Sequence, residues 1–180
     1  MDIAIRDVVP LDALSLAHVL ITANDHTFRG LVPDQCLEFS EAESAANWQK
    51  FFSQGLPADE FMLVAETLAQ ECVGYAWARP NTKDNDYHAE LRQLMVLPDY
   101  QGQGIGRHLV RDAAQRLLTQ GLQSLRVEVL CINPNRTFYE RLGAQYQSEH
   151  AYNWDGVSLS MCVYGWHDIR TLLMSESNSR

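Results

Sequence analysis

The residues best suited to chemistry in this chain are glycines. Residues 100–107 read Tyr100-Gln101-Gly102-Gln103-Gly104-Ile105-Gly106-Arg107, directly after a strand-like run and at the opening of a helical one. Glycine lets a backbone approach an anion closely, and the first amides of a helix are free donors at the positive end of its dipole, so such a loop attracts phosphate. The bland alternative is a helix capped by a glycine-rich turn for structural reasons alone. Two common phosphate loops do not fit. The dinucleotide fingerprint GxGxxG fails from Gly102, whose third glycine falls at Arg107, and fails again from Gly104. A P-loop needs GK followed by Ser or Thr, yet Gly106 is followed by Arg107 and His108. The six histidines show no HxH, HExxH or Cys/His spacing, so no metal is implied.

What remains at residues 101–106 is QxxGxG, which resembles the pyrophosphate-binding loop of the GNAT acetyltransferases. The neighbourhood agrees in order and spacing. Glu90-Leu91 and Met95-Val96-Leu97-Pro98-Asp99-Tyr100 resemble the family's fourth strand and its exit, and residues 133–143, from Asn133-Pro134 through Phe138-Tyr139-Glu140 to Gly143, resemble its later helix. Residues 29–34 and 163–168 are similar to features of one large subgroup, so the likeness runs to about Leu173. Arg136, where relatives often carry a small residue, and Ala144 after Gly143 depart from the pattern.

The resemblance implies acetyl-coenzyme A (acetyl-CoA) as cosubstrate, no metal, and an α/β fold with a mixed, mostly antiparallel central sheet of about six to seven strands and about four flanking helices. Backbone amides of Gln101, Gly102, Gln103, Gly104, Ile105 and Gly106 would hold the pyrophosphate, with Arg107 and His108 flanking the phosphates and Arg111 or Arg136 meeting the 3′-phosphate. Main-chain groups of Leu94, Met95 and Val96 would pair with the pantetheine arm like an added strand, and could also stabilise charge developing on the thioester oxygen; Asn133 would hydrogen-bond the arm. Tyr139 matches the family's general acid, a phenol that stays protonated at neutral pH; by spacing alone it reads as a buried aromatic on an amphipathic helix, and the Phe-Tyr-Glu context after Asn133 turns the reading to function. An amine acceptor must lose a proton, and Glu90 is the candidate base, with His26 or His88 as substitutes and simple solvation of Glu90 as the alternative.

These groups need elements to hold them. The patterns predict a first strand at residues 3–6, a helix from Pro10 and Asp12 to near Asn24, and a loop over 25–35 containing His26, Phe28, Gly30 and Pro33. That loop either shapes an acceptor pocket, with His26 and Phe28 touching substrate, or merely connects helices. Ser40 and Glu43 form a capping-box signature for a helix over 41–54. Residues 61–67 and 72–78 read as a hairpin, 81–88 as a loop, 91–97 as a strand, and the glycine loop opens a helix closed by Gly121. A strand over 124–130, a short helix over 136–142, and a hairpin of 146–152 with 157–164 around Asp155-Gly156 complete the series. One domain over 1–174 is expected, with 175–180 a disordered tail.

Bulk properties allow this. At 180 residues, 46% hydrophobic and 21% charged, the chain suits one globular domain. A net charge of -9 argues against nucleic acid, and fits either a cationic acceptor or plain solubility. No apolar run is long enough to span a bilayer and no leader opens the chain, so a cytoplasmic enzyme is expected, with no membrane partner. Four cysteines, at Cys36, Cys72, Cys131 and Cys162, lack zinc spacing and read as buried thiols. The expected activity is transfer of an acetyl group to a small-molecule amine in a ternary complex. A protein N-terminal or lysine acceptor, a non-catalytic acetyl-CoA sensor and a homodimer stay open.

Overall fold

A computed structural model describes residues 2–83 and 86–174. The expected tail at 175–180 and part of the 81–88 loop lie outside the described residues. Seven strands form one sheet: β1 (Ile3–Asp7), β2 (Phe61–Thr67), β3 (Cys72–Pro80), β4 (Ala89–Val96), β5 (Leu125–Leu130), β6 (Gln145–Trp154) and β7 (Val157–Trp166). Their order is β1-β2-β3-β4-β5-β7-β6, and every neighbouring pair is antiparallel except β4 with β5. Four α-helices accompany them: α1 (Ala13–Phe28), α2 (Glu41–Ser53), α3 (Ile105–Thr119) and α4 (Thr137–Arg141). The expected α/β fold with a mixed, mostly antiparallel sheet is the one observed. Among the described residues, no helix is long and apolar enough to cross a membrane.

Period decides which side chains meet. In α3, Leu109, Val110, Ala113, Ala114 and Leu117 recur at three- and four-residue spacing and are fully buried. Burying each leucine stabilises the fold by about 1.5–3 kcal/mol. On β3, Tyr75 and Trp77 project to the face where Trp48 of α2 meets both rings, at 6.1 and 5.8 Å. Alternation turns Ala76 and Ala78 to the opposite face, whose small side chains let α3 lie close to the sheet. α2 begins where its cap predicts, with the Ser40 hydroxyl accepting from the Glu43 amide at 3.3 Å.

Two expectations need correction. The first helix does not stop near Asn24 but runs to Phe28. The polar stretch Asn24-Asp25-His26 hides its period, yet Phe28 is 7% exposed and anchors the last turn, and Asp25 pairs with Arg29 one turn on. Nor are all four cysteines thiols. Cys131 and Cys162 form a disulfide, while Cys36 and Cys72 are free and buried. The antiparallel register sets Val129 of β5 opposite Cys162 of β7, which leaves Cys131, just past the end of β5, with its Cα 5.1 Å from that of Cys162. No local pattern announces a pair separated by 31 residues.

Candidate active site

The glycine loop begins at the end of β4. The Gln101 side-chain amide donates to the Val96 carbonyl at 3.0 Å and its backbone amide to Pro98 O at 3.1 Å, so Gln101 pins the loop to the strand. Gly102 and Gly104 then adopt φ of +72° and +86°, a region costly for other residues. Gly104 is the N-cap of α3 and no side chain caps it. The first intrahelical bond runs from His108 N to Gly104 O at 3.0 Å. The amides of Ile105, Gly106 and Arg107 therefore lack an intrahelical acceptor, and among the described residues they have no other protein acceptor. Gly106 is confined for a different reason: a Cβ there would stand 3.3 Å from Phe138 Cζ.

β4 supplies a second open set of backbone groups. Its register against β3 passes from Trp77↔Gln93 to Ala78↔Leu91, so Arg92 is an extra residue and the strand bulges. The Arg92 guanidinium lies over the Trp77 ring, 4.7 Å from its centroid. On the other side, parallel pairing with β5 stops at Leu91↔Val127. Beyond that point β5 pairs only with β7, and the β4 edge over residues 92–96 faces a cleft.

Loop and cleft open on one cavity of about 530 Å³. Leu94, Met95 and Val96 line one wall, Gln101, Gly102, Gly104, Ile105, Gly106 and Arg107 its floor, and Phe138 and Tyr139 of α4 the opposite wall. The Tyr139 ring is held by Phe138 at 5.2 Å and by Tyr164 and Trp166 at 6.4 Å each. Burial pushes its phenol up to about 12, and among the described residues its hydroxyl makes no protein hydrogen bond. The site thus offers anion-binding amides, a strand edge and a neutral proton donor around one space.

Other expected residues lie elsewhere. Glu90 is 4% exposed and does not line the cavity. Arg79 Nη2 holds one carboxylate oxygen at 2.9 Å and Lys83 Nζ the other at 2.7 Å. Burial alone would raise its pKa, but the hydrogen bonds from Lys83 and Arg79 outweigh that and hold the carboxyl below its usual range. Such a carboxylate is a poor proton acceptor. Asn133 uses its side-chain oxygen to cap the turn at Asn135 N, 2.8 Å away, and Asn135 takes its place on the cavity wall. Arg136 points to Cys162 Sγ at 3.8 Å, outside the lining. His88 is used as an acceptor by Gln123 N at 3.2 Å. Arg111 lines a neighbouring groove that shares His108.

His26 is exposed and Phe28 buried, neither on the cavity wall. Phe28 instead meets Trp154, at the tip of the β6–β7 hairpin, edge to face at 5.9 Å, and Phe39 stacks on the same indole at 6.5 Å. Gln35 Nε2 donates to Asp155 O at 3.0 Å. The α1–α2 segment and the hairpin tip are therefore packed together over a small core of Phe28, Val32, Cys36 and Leu37. Ala23 and Thr27 of α1 also line the cavity, though nothing in the sequence singles them out: Ala23 lies within the expected helix, and Thr27 in a segment read as loop but helical in the structure. Sequence reasoning also missed Phe138, whose only signal was its place beside Tyr139 in the recognised motif.

A family model described as the acetyltransferase (GNAT) family matches residues 28–144. An uncharacterised N-acetyltransferase of Bacillus subtilis, YuaI, is 26% identical over 172 residues, covering 94% of this chain and 96% of the relative. The thialysine N-epsilon-acetyltransferase of Bos taurus is 29% identical over 144 residues, covering 68% of this chain and 84% of the relative. Among solved structures, the PaiA N-acetyltransferase of Thermoplasma acidophilum in complex with coenzyme A superposes with a TM-score of 0.70 at 21% identity. That alignment covers 92% of this chain and 100% of the other, and it speaks to fold alone.

Proposed function

The chain belongs to the acetyltransferase (GNAT) family and is an N-acetyltransferase, and from that premise we propose that it passes the acetyl group of acetyl-CoA directly to the amine of a small molecule, with both substrates bound together. The observation that carries this is the uncapped start of α3, whose amides at Ile105, Gly106 and Arg107 open on the same cavity as the free β4 edge. A diphosphate needs the first and an extended amide-bearing arm needs the second. Acetyl-CoA supplies both of these groups and an activated thioester.

The residues then divide the work. Amides of the glycine loop hold the diphosphate, and Gln101 keeps that loop in register with β4. Residues 94–96 orient the arm through main-chain groups, and the bulge at Arg92 turns the strand where the thioester would lie. Tyr139, kept protonated by burial, gives its proton to the departing thiol sulfur. Glu90 takes no part in removing the amine's proton, because Arg79 and Lys83 occupy both of its oxygens.

The Phe28–Trp154 and Gln35–Asp155 contacts pack the α1–α2 segment on the β6–β7 tip but lie outside the cavity wall, so the acceptor class is argued from the relatives. Support for a small acceptor is the bovine relative's name, which specifies a small amine. A panel of small amines and of peptides with free α-amino or lysine groups, assayed by free-thiol release from acetyl-CoA, tests this. Saturable release with a small amine and little with peptides is expected. Preference for peptides would overturn the acceptor class, and cofactor binding with no acceptor-dependent release would make the protein a sensor.

A further inference from the structure

The Cys131–Cys162 disulfide stands where a change in bonding would reach the proposed chemistry. Cys131 is the point at which the chain leaves β5: its amide donates to Ser160 O at 2.9 Å, and Asn133 N closes the next turn on Leu130 O at 2.8 Å. The chain then passes through the 3-10 turn Pro134–Arg136 into α4, which brings Phe138 and Tyr139 to the cavity. The two sulfurs are not equivalent. Cys162 is 1% exposed inside β7, whereas Cys131 is half-buried. Arg136 Nη1 lies 3.8 Å from Cys162 Sγ. A Glu149 carboxylate oxygen lies within 4.8 Å of both sulfurs and opposes negative charge at either, whereas the Arg136 guanidinium beside Cys162 Sγ favours it.

We propose that Cys131 and Cys162 form a reversible exchange site for low-molecular-weight thiols, and that their bond sets how firmly the turn leading to Tyr139 is held against β7. An incoming thiolate attacks the sulfur of Cys131, the more exposed residue of the pair. The S–S bond breaks, and its electron pair leaves on Cys162 Sγ, where Arg136 stabilises the thiolate until it takes up a proton. A second thiolate attacks the sulfur of the small thiol held on Cys131, and Cys131 Sγ leaves with the electron pair and takes up a proton, so the protein gains two thiols while two small thiols leave as one disulfide. Oxidation by a small disulfide is the same sequence reversed. After reduction α4 keeps other ties to β7, Tyr164 OH to Glu140 at 3.0 Å and Trp166 Nε1 to Leu142 O at 2.9 Å. The fold survives, but residues 131–136 lose their covalent tether.

The effect on turnover rests on the proposed acetyl transfer; the exchange itself does not. The full chain is equilibrated with reduced and oxidised glutathione, then followed by thiol titration, hydrogen-exchange mass spectrometry and steady-state kinetics. Reduced glutathione should raise the free thiols from the two of Cys36 and Cys72 to four. Amides of residues 132–142 should then exchange faster, and kcat should fall, by up to about 100-fold for a displacement of the order of 1 Å, with a smaller change in KM for acetyl-CoA. Arg136→Gln should slow the opening of the bond. A bond that stays closed in glutathione, unchanged exchange at 132–142, unchanged kcat after full reduction, or loss of secondary structure on reduction would each overturn the proposal. Should neither state acetylate any amine, the proposed activity fails, and thiol count with hydrogen exchange still decides the switch.

Discussion

Replacing Gly104 by valine separates backbone strain from loss of the anion site. Gly104 holds φ +86°, and a Cβ built there meets no protein atom within 4 Å. Gly104→Val thus costs about 1–3 kcal/mol of conformational strain, without a clash inside the protein. Gly104 lines the cavity, so the valine side chain would take up space onto which the amides of Ile105, Gly106 and Arg107 open. Losing two charge-assisted hydrogen bonds, at about 1.5–3 kcal/mol each, weakens acetyl-CoA binding by about 3–6 kcal/mol, or about 10²- to 10⁴-fold. Gly121, past the other end of α3, is the matched control, with φ +81° and no protein atom within 4 Å of a built Cβ. Gly121→Val imposes similar strain away from the cavity. Thermal melts would establish that both variants fold and lose comparable stability, and titration calorimetry with acetyl-CoA would follow. The reasoning is wrong if Gly104→Val binds within about threefold of the parent protein, or if Gly121→Val weakens binding equally.

Tyr139→Phe should keep the acetyl-CoA Kd and lose roughly 10²- to 10⁴-fold in kcat, the range general acids contribute; an unchanged kcat removes Tyr139 from the chemistry. Because burial keeps that phenol protonated until about 12, its ionisation should not lower the parent enzyme's rate anywhere below about pH 11, which a pH–rate profile checks. Glu90→Gln should lower the melting temperature at neutral pH while reducing kcat by less than the roughly 10²-fold expected of a lost general base. Glu90 has a depressed pKa in the folded state, so its stabilisation is present above the unfolded value of about 4.3 and disappears as pH falls through the folded one. The melting difference between parent and variant should accordingly vanish in acid, and a difference that persists there refutes the ion-pair account. Trp154→Ala removes ring contacts to Phe28 and Phe39 worth about 1–3 kcal/mol together, and should lower the melting temperature without changing the Kd of acetyl-CoA, because none of the three rings lines the cavity. A parallel loss of cofactor affinity in calorimetry would show that the hairpin tip influences the cavity it does not line.

Local order in the chain sufficed for some of this. The glycine loop is contiguous with the strand before it and the helix after it, so residue type, φ preference and period announce strand, glycine turn and helix in the order observed at β4, Gly102, Gly104 and α3. The same holds for the Ser40 cap of α2 and the β2–β3 and β6–β7 hairpins, each set within a few residues. Tertiary structure decided whatever depends on register between distant segments. The charges that pair with Glu90 come from Arg79 and Lys83, the disulfide needs β5 beside β7, and the last turn of α1 forms because Phe28 finds Trp154 far along the chain. Amphipathic period tells a side chain which way to face; only the assembled sheet determines what it meets there.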